Sequence, residues 1–391
     1  MRAVVTGMIG SYPVGGVAWD YGQYALGLER LGFEVYYLED TGWQTYDPIA
    51  GCYGDDCRYA VHSLENALTN LSPTLGRRWH FRNLDGRTFG MPAAAVADIV
   101  AGADLFLNVS GGTLLRDEYM SCRRKVLIDT DPGWNHFRNF PRWDNPPDEA
   151  SRKFTRQGHG YRAHEFFFTY AERLGRPDCL LPSLGLPWQS TRPPVVIDCW
   201  RPEPPGDSWT TVMTWKNFAE TIAHEGVVYG TKEMEFDKIE ELPRLSPARF
   251  EVACGGDPPR DRWRSVGWSV VVSQAVSVTP EMYRSYIQRS RGELSVAKNV
   301  YVATGSGWFS CRTACYLAAG RPAVVQDTGF SRVIPTGRGL FAFTDAAEAL
   351  SGIDAIESDY EAHQAAAREL AQSHFDSNRV LGDLLSRIGL E

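Results

Sequence analysis

Short apolar runs alternate with stretches of helical periodicity along most of this chain. RAVVTG (2–7) is a β-rich run, MIGSYPVGG (8–16) is a loop, and VAWDYGQYALGLERLG (17–32) places Tyr21, Tyr24, Ala25, Leu28 and Leu31 on one helical face before Gly32 stops it. FEVYYLED (33–40) returns as a strand, and ADLFLNVSGG (103–112), KVLIDTDPG (125–133) and EFFFTYAERLG (165–175) follow as further strands, with helical stretches such as MPAAAVADIVAG (91–102) between them. Strand–helix alternation of this kind builds a parallel sheet with helices on both faces. Around LPSLGLPWQSTRPP (181–194) and WRPEPPGDSW (200–209) the pattern collapses into Pro, Trp and Gly, as a linker does. It then restarts. WTTVMTW (209–215), RFEVACGG (249–256), GWSVVVS (267–273) and VYVATG (300–305) read as strands, ELSVAKN (293–299) as a turn, AVVQDTG (323–329) as a strand ending in a turn, and the tail as helix.

The expected fold class is therefore α/β, with two doubly wound Rossmann-like domains facing across a cleft. Residues 1–185 form the first domain, 186–207 the linker, 208–370 the second domain, and 371–391 a C-terminal helix packing back on the first. A chain of 391 residues exceeds the size at which a single core stops growing.

Composition narrows the function classes. A net charge of −8 argues against a protein that coats nucleic acid. The eight cysteines are scattered without a C-x-x-C pair, so free thiols of a reducing compartment are expected and no metal site. The chain opens directly into a strand and has no apolar run long enough to span a membrane, so a cytoplasmic protein without a transmembrane segment is expected. The oligomeric state is not readable.

Candidate chemistry concentrates in GSGWFSCRTACYLAAGRPAVVQDTGF (305–330). The reading is a strand at Val300–Ala303, a Gly305-Ser306-Gly307 turn and a helix beginning near Ser310. Ligands of open α/β sheets collect beyond the carboxyl ends of strands, where helix amino termini offer free N–H groups to a phosphate. Arg312 would clamp that anion and Thr313 add a hydroxyl, with the turn Asp327-Thr328-Gly329 on the same rim. Lys216 and Lys232 are further cations for a diphosphate, and Glu293 is a candidate acceptor for sugar or ribose hydroxyls. In the first half, Gly7, Gly10, Gly15 and Gly16 allow close backbone approach. Asp20, read as lying in the first helical turn, and His136, with Asp131 to orient it, are the two candidate general bases.

Two segments resemble the glycosyltransferases of the two-Rossmann-domain (GT-B) fold, of the family 1 and family 4 type. GSYPVGGVAWDYGQYALGLERLGFEVYYLE (10–39) is similar to their first strand–loop–helix–strand, with Gly15 and Gly16 at the Gly-Gly pair that faces the donor diphosphate. SGWFSCRTACYLAAGRPAVVQDTGFSRVI (306–334) is similar to their donor-binding segment, with Ala319-Gly320-Arg321-Pro322 and Asp327-Thr328-Gly329 matching. The resemblance implies transfer of a sugar from a nucleotide-sugar co-substrate to a small-molecule or glycan acceptor, with no cofactor or metal, the donor in the second domain and the acceptor in the first. One departure stands out. The two glutamates seven residues apart found in many retaining members are absent, Gly307 and Cys315 occupying that stretch, so neither donor nor stereochemical outcome follows. Two alternatives stay open: a sugar-nucleotide epimerase of the same fold, and a nicotinamide-dependent oxidoreductase, for which TGMIGSYP (6–13) begins like a dinucleotide loop and Asp40 ends the second strand.

Overall fold

The computed structural model describes residues 1–216 and 221–390, which separate into two compact units. The first comprises Met1–Tyr170, Ser183–Val196 and Ser377–Glu391, the second Ala171–Pro182 and Ile197–Asp376.

The first unit is built on β1 (Arg2–Thr6), β2 (Glu34–Glu39), β3 (Trp79–Arg82), β4 (Thr88–Gly90), β5 (Leu105–Val109), β6 (Lys125–Asp129), β7 (Phe166–Thr169) and β8 (Gln189–Ser190). Their order is β8-β7-β6-β5-β1-β2-β3-β4, parallel except for the β3–β4 hairpin. Every residue of β5 and β6 is buried, as expected of parallel strands covered on both faces. Helix α1 (Gly15–Arg30) follows β1 and buries Ala18, Tyr21, Tyr24, Ala25 and Leu28. Gly27 in its interior lets the C-terminal helix approach, since a Cβ there would lie 2.6 Å from Leu381 Cδ1. A mid-helix glycine costs about 1 kcal/mol, and the close packing offsets it.

The second unit carries β9 (Ser208–Thr214), β10 (Arg249–Gly255), β11 (Ser269–Val272), β12 (Gly292–Ser295), β13 (Ala323–Gln326) and β14 (Leu340–Phe343). All neighbours in the order β11-β10-β9-β12-β13-β14 are parallel. The chain grows outward from β9 on one side and restarts on the other with β12, so its direction switches between these two strands. Beyond the carboxyl ends of such a pair lies the ligand crevice of a doubly wound sheet.

Four sequence expectations are corrected. Residues 186–207 are not a free linker: β8 adds to the edge of the first sheet, Val196 N–H donates to Gln23 Oε1 at 3.1 Å, and Val195, Val196 and Trp200 are buried. Pro and Trp here shape turns on two packed surfaces. Secondly, Ala171–Pro182, read as the end of the first domain, belongs to the second unit. Thirdly, the C-terminal return begins at Ser377 rather than 371, where Ser377 N–H donates to Val195 O at 2.8 Å. Finally, Val300–Ala303 is not a strand. The strand is β12, upstream, and α2 (Asn299–Ala303) is a short helix burying Val300 and Tyr301. β-Branched residues suit either state once packing decides.

Candidate functional site

The second unit brings most of the expected residues to one rim. Helix α3 (Cys311–Ala318) starts after Ser310, whose side chain makes no capping bond. A small pocket of about 20 Å³ at its amino end is lined by Ser295, Ser310, Arg312, Thr313, Gln326 and Thr328, among others.

Arg312 lies across the switch point. Its Nε donates to Glu293 Oε1 at 2.6 Å, its Nη2 to Ser295 Oγ at 2.5 Å, both on β12, and its Nη1 to Val212 O of β9 at 2.9 Å. The guanidinium is thus a buried structural bridge that holds a permanent charge at the crevice, not the freely pointing clamp expected. Glu293, expected in a loop as an acceptor of sugar hydroxyls, is instead fully buried within β12, its Oε1 occupied by Arg312. Removing either partner would strand a buried charge.

Lys232 is the second cation. It sits in a short turn, partly buried, and burial together with the nearby Arg312 and Lys298 charges pushes its ammonium well below the usual lysine range. The turn is held there by Gly230 N–H donating to Asn299 Oδ1 at 3.0 Å and by Val300 N–H donating to Gly230 O at 3.2 Å. Lys298, the residue preceding α2, is the third cation, and sequence reading missed it. A lysine three residues beyond a buried strand was the available signal. Lys216 is exposed just past β9.

The Gly-Ser-Gly turn has an internal occupant. Gly305 and Gly307 have φ of +58° and +75°, and a Cβ on Gly307 would lie 2.7 Å from Arg173 Cγ. Arg173 N–H donates to Ser306 O at 3.1 Å and its Nη1 to Gly305 O at 2.9 Å. The glycines therefore admit Arg173 of the Ala171–Pro182 segment. Asp327 is likewise structural: it accepts from Gly329 N–H at 2.8 Å and Ser331 Oγ at 2.6 Å, and Thr328 Oγ1 donates to Trp308 O at 2.5 Å. Gly329, at φ +90°, supplies the left-handed turn they close on.

In the first unit, Gly15 and Gly16 are the first residues of α1, so their N–H groups stand at its amino end. Because the helix starts there, Asp20 lies in the second turn, not the first, and is partly buried. His136 is completely buried in a single π-helical turn (Asn135–Asn139). Its Nε2 meets Asp129 Oδ2 at 3.0 Å, so Asp129 at the end of β6 helps to orient the ring. Asp129 also accepts from Thr169 Oγ1 at 2.8 Å and Asn135 Nδ2 at 2.6 Å. Such a network fixes the β6 terminus and keeps His136 away from solvent.

Two acids end β2. Asp40 accepts from Arg116 Nε at 2.6 Å and Nη2 at 2.8 Å and from Tyr119 Oη at 3.0 Å, so it is engaged where an oxidoreductase would need it for a ribose. Glu39, missed by sequence reading, accepts the N–H groups of Gly10 at 2.9 Å and Ser11 at 2.5 Å. It holds the glycine loop, and complete burial pushes its carboxyl up to about 7 despite those hydrogen bonds.

Among the described residues no helix is long and apolar enough to cross a membrane. No protein-family model matches the chain, and no curated protein matches its sequence. Solved structures do. Alr3699/HepE from Anabaena in complex with UDP-glucose is similar over 99% of this chain and 100% of its own, with 11% identity and a TM-score of 0.52. The same protein with UDP gives the same values. A sucrose-phosphate synthase from Thermosynechococcus elongatus covers 99% of both chains at 12% identity and a TM-score of 0.47. The fold is the expected one, two Rossmann-like domains of the GT-B class.

Proposed function

We propose that this chain is a glycosyltransferase that moves a sugar from a nucleotide-sugar donor to an acceptor hydroxyl without a metal ion. The observation that carries the reading is the group of Lys232, Lys298 and Arg312 at the switch point of the second sheet, beside the amino end of α3. Burial is the main reason the Lys232 ammonium lies well below the usual lysine range, and repulsion from the Arg312 and Lys298 charges adds to it. A diphosphate would relieve that repulsion, and as a leaving group it would be stabilised most when its charge develops. HepE, which shares the fold, was solved with UDP-glucose, and this favours a nucleotide-sugar ligand.

In this assignment Lys232 contacts the diphosphate, Arg312 supplies fixed charge and holds β9 to β12, and Ser310, Thr313 and the N–H groups of α3 complete the anion site. Asp20 is the proposed base for the acceptor hydroxyl, since His136 is enclosed. A thermal-shift and product-release screen in EDTA tests this against UDP-, GDP-, dTDP- and ADP-sugars, NAD(H) and NADP(H). Stabilisation by one nucleotide-sugar class with slow release of its nucleoside diphosphate is expected. A shift with dinucleotides alone would overturn the reading. Isomerisation of the sugar with no diphosphate released would replace it by the epimerase.

A further inference from the structure

The first unit contains a cavity of about 350 Å³ to which no role has been assigned, beyond the carboxyl ends of β2, β5 and β6. This is within the size range of small-molecule sites. Five aromatic rings line it: Trp43, Phe140, Trp143, Phe154 and Tyr161. Three of them form a tilted series, with centroids 6.2 Å apart for Trp43–Phe154 and 5.7 Å for Trp143–Phe154, while Phe140 stacks on Tyr161 at 4.4 Å. Trp43 is half-exposed, so one wall of the cavity reaches the surface.

Polar side chains, Arg142 and His159 among them, make up much of the rest of the lining, and those at the sheet end are mostly engaged. Asn108 accepts from Thr6 Oγ1 at 2.9 Å and donates to Thr113 O at 3.1 Å, and His164 joins it at 3.1 Å. Burial lowers His164 to about 4, so it is neutral at ordinary pH. Thr113 is different. Its residue is 3% exposed, it lines the cavity, and its hydroxyl has no hydrogen-bond partner among the described residues. A buried hydroxyl left unsatisfied costs roughly 1–3 kcal/mol, which a ligand would recover. Next to it, Ser110 adopts φ +60°, a strained conformation for a non-glycine residue and one that gathers at ligand sites.

We propose that this cavity binds a flat, ring-bearing, largely apolar molecule that carries a hydroxyl group, of the phenol or naphthol class. Aromatic walls match its faces, and Thr113 meets its polar edge. A sugar or glycan offers those five rings no flat aromatic face. If the chain is the glycosyltransferase proposed above, this molecule is the acceptor; that clause alone rests on the transfer reading.

Calorimetry on the whole chain without any nucleotide sugar tests the site by itself, with 2-naphthol and glucose as probes. 2-Naphthol is expected to bind at least about tenfold more tightly than glucose. Trp43→Ala and Ala150→Trp, both at exposed positions of the wall, should each weaken it about fivefold or more without moving the melting temperature. Glucose binding as tightly as naphthol, no naphthol binding, or naphthol binding indifferent to both variants would overturn the proposal. Adding the donor then separates the two readings: a naphthyl glycoside supports the acceptor role, whereas bound naphthol that is never glycosylated beside a bound donor overturns that role and leaves the binding site standing.

Discussion

Each unit buries a glutamate near the carboxyl end of a sheet strand, and the two are handled oppositely. Glu293 in the second unit is met by the Arg312 guanidinium, so the rim keeps a permanent ion pair with two lysines beside it. Glu39 in the first unit is met, among the described residues, by neutral donors, including the Gly10 and Ser11 N–H groups and Tyr37 Oη at 3.3 Å. Its carboxyl rises to about 7 in consequence. One buried glutamate thus keeps its charge and the other tends to shed it. The first stands beside the cations that suit a diphosphate, whereas the second holds the glycine loop of its unit.

That contrast can be broken most forcefully at Glu293. Glu293→Leu leaves Arg312 buried without its counter-ion and should cost roughly 3–5 kcal/mol, seen as a lowered denaturation midpoint. A loss under about 1 kcal/mol would mean the pair is not the buried bridge described.

The pH dependence of Glu39 is the next effect. Its folded pKa, about 7, exceeds the ordinary value of 4.5. The folded state therefore binds the proton more tightly, and stability falls as pH rises from 4.5 through 7. The full difference is about 3 kcal/mol, and the opposite slope would contradict it. Glu39→Gln should flatten this segment of the stability curve in acid and neutral denaturation series.

Lys232→Ala sharpens the comparison from the other side. It removes an ammonium that burial and the neighbouring cations disfavour, so the melting temperature should stay level or rise while donor affinity falls roughly 10- to 100-fold. A melting temperature that drops several degrees would instead make Lys232 a structural residue. Smallest is Ser310→Ala. Because Ser310 makes no capping bond, the change should cost under about 0.5 kcal/mol, less than the usual loss of an N-cap. A loss near 1–2 kcal/mol in thermal melts would show that the hydroxyl caps α3 after all.

How much of this was legible follows the range of the interaction. The strand–helix alternation, the α3 start at Ser310 and the cluster of Ser310, Arg312, Thr313 and Thr328 on one rim all depend on local pattern, and the sequence shows them. Partnerships across the chain do not announce themselves. Arg173 filling the Gly305–Gly307 turn joins residues far apart in sequence, so glycines shaped for a side chain read as glycines shaped for a ligand. Arg312 read only as a clamp for an anion because its protein partners Glu293 and Val212 sit on separate strands. Asp129 as a partner of His136 went unread because it lies in the preceding strand rather than in the loop that carries the histidine. Val300–Ala303 read as a strand because its β-branched residues say nothing of the helix that packing imposes.

The most direct test of the account is calorimetric titration of the nucleotide sugar that best stabilises the chain into wild type and Lys232→Ala, in two buffers of different ionisation heat. The account predicts proton uptake by wild type on binding, as the diphosphate restores the Lys232 charge, and loss of both that uptake and most of the affinity in the variant. Equal affinity and equal proton uptake in the two proteins would contradict it.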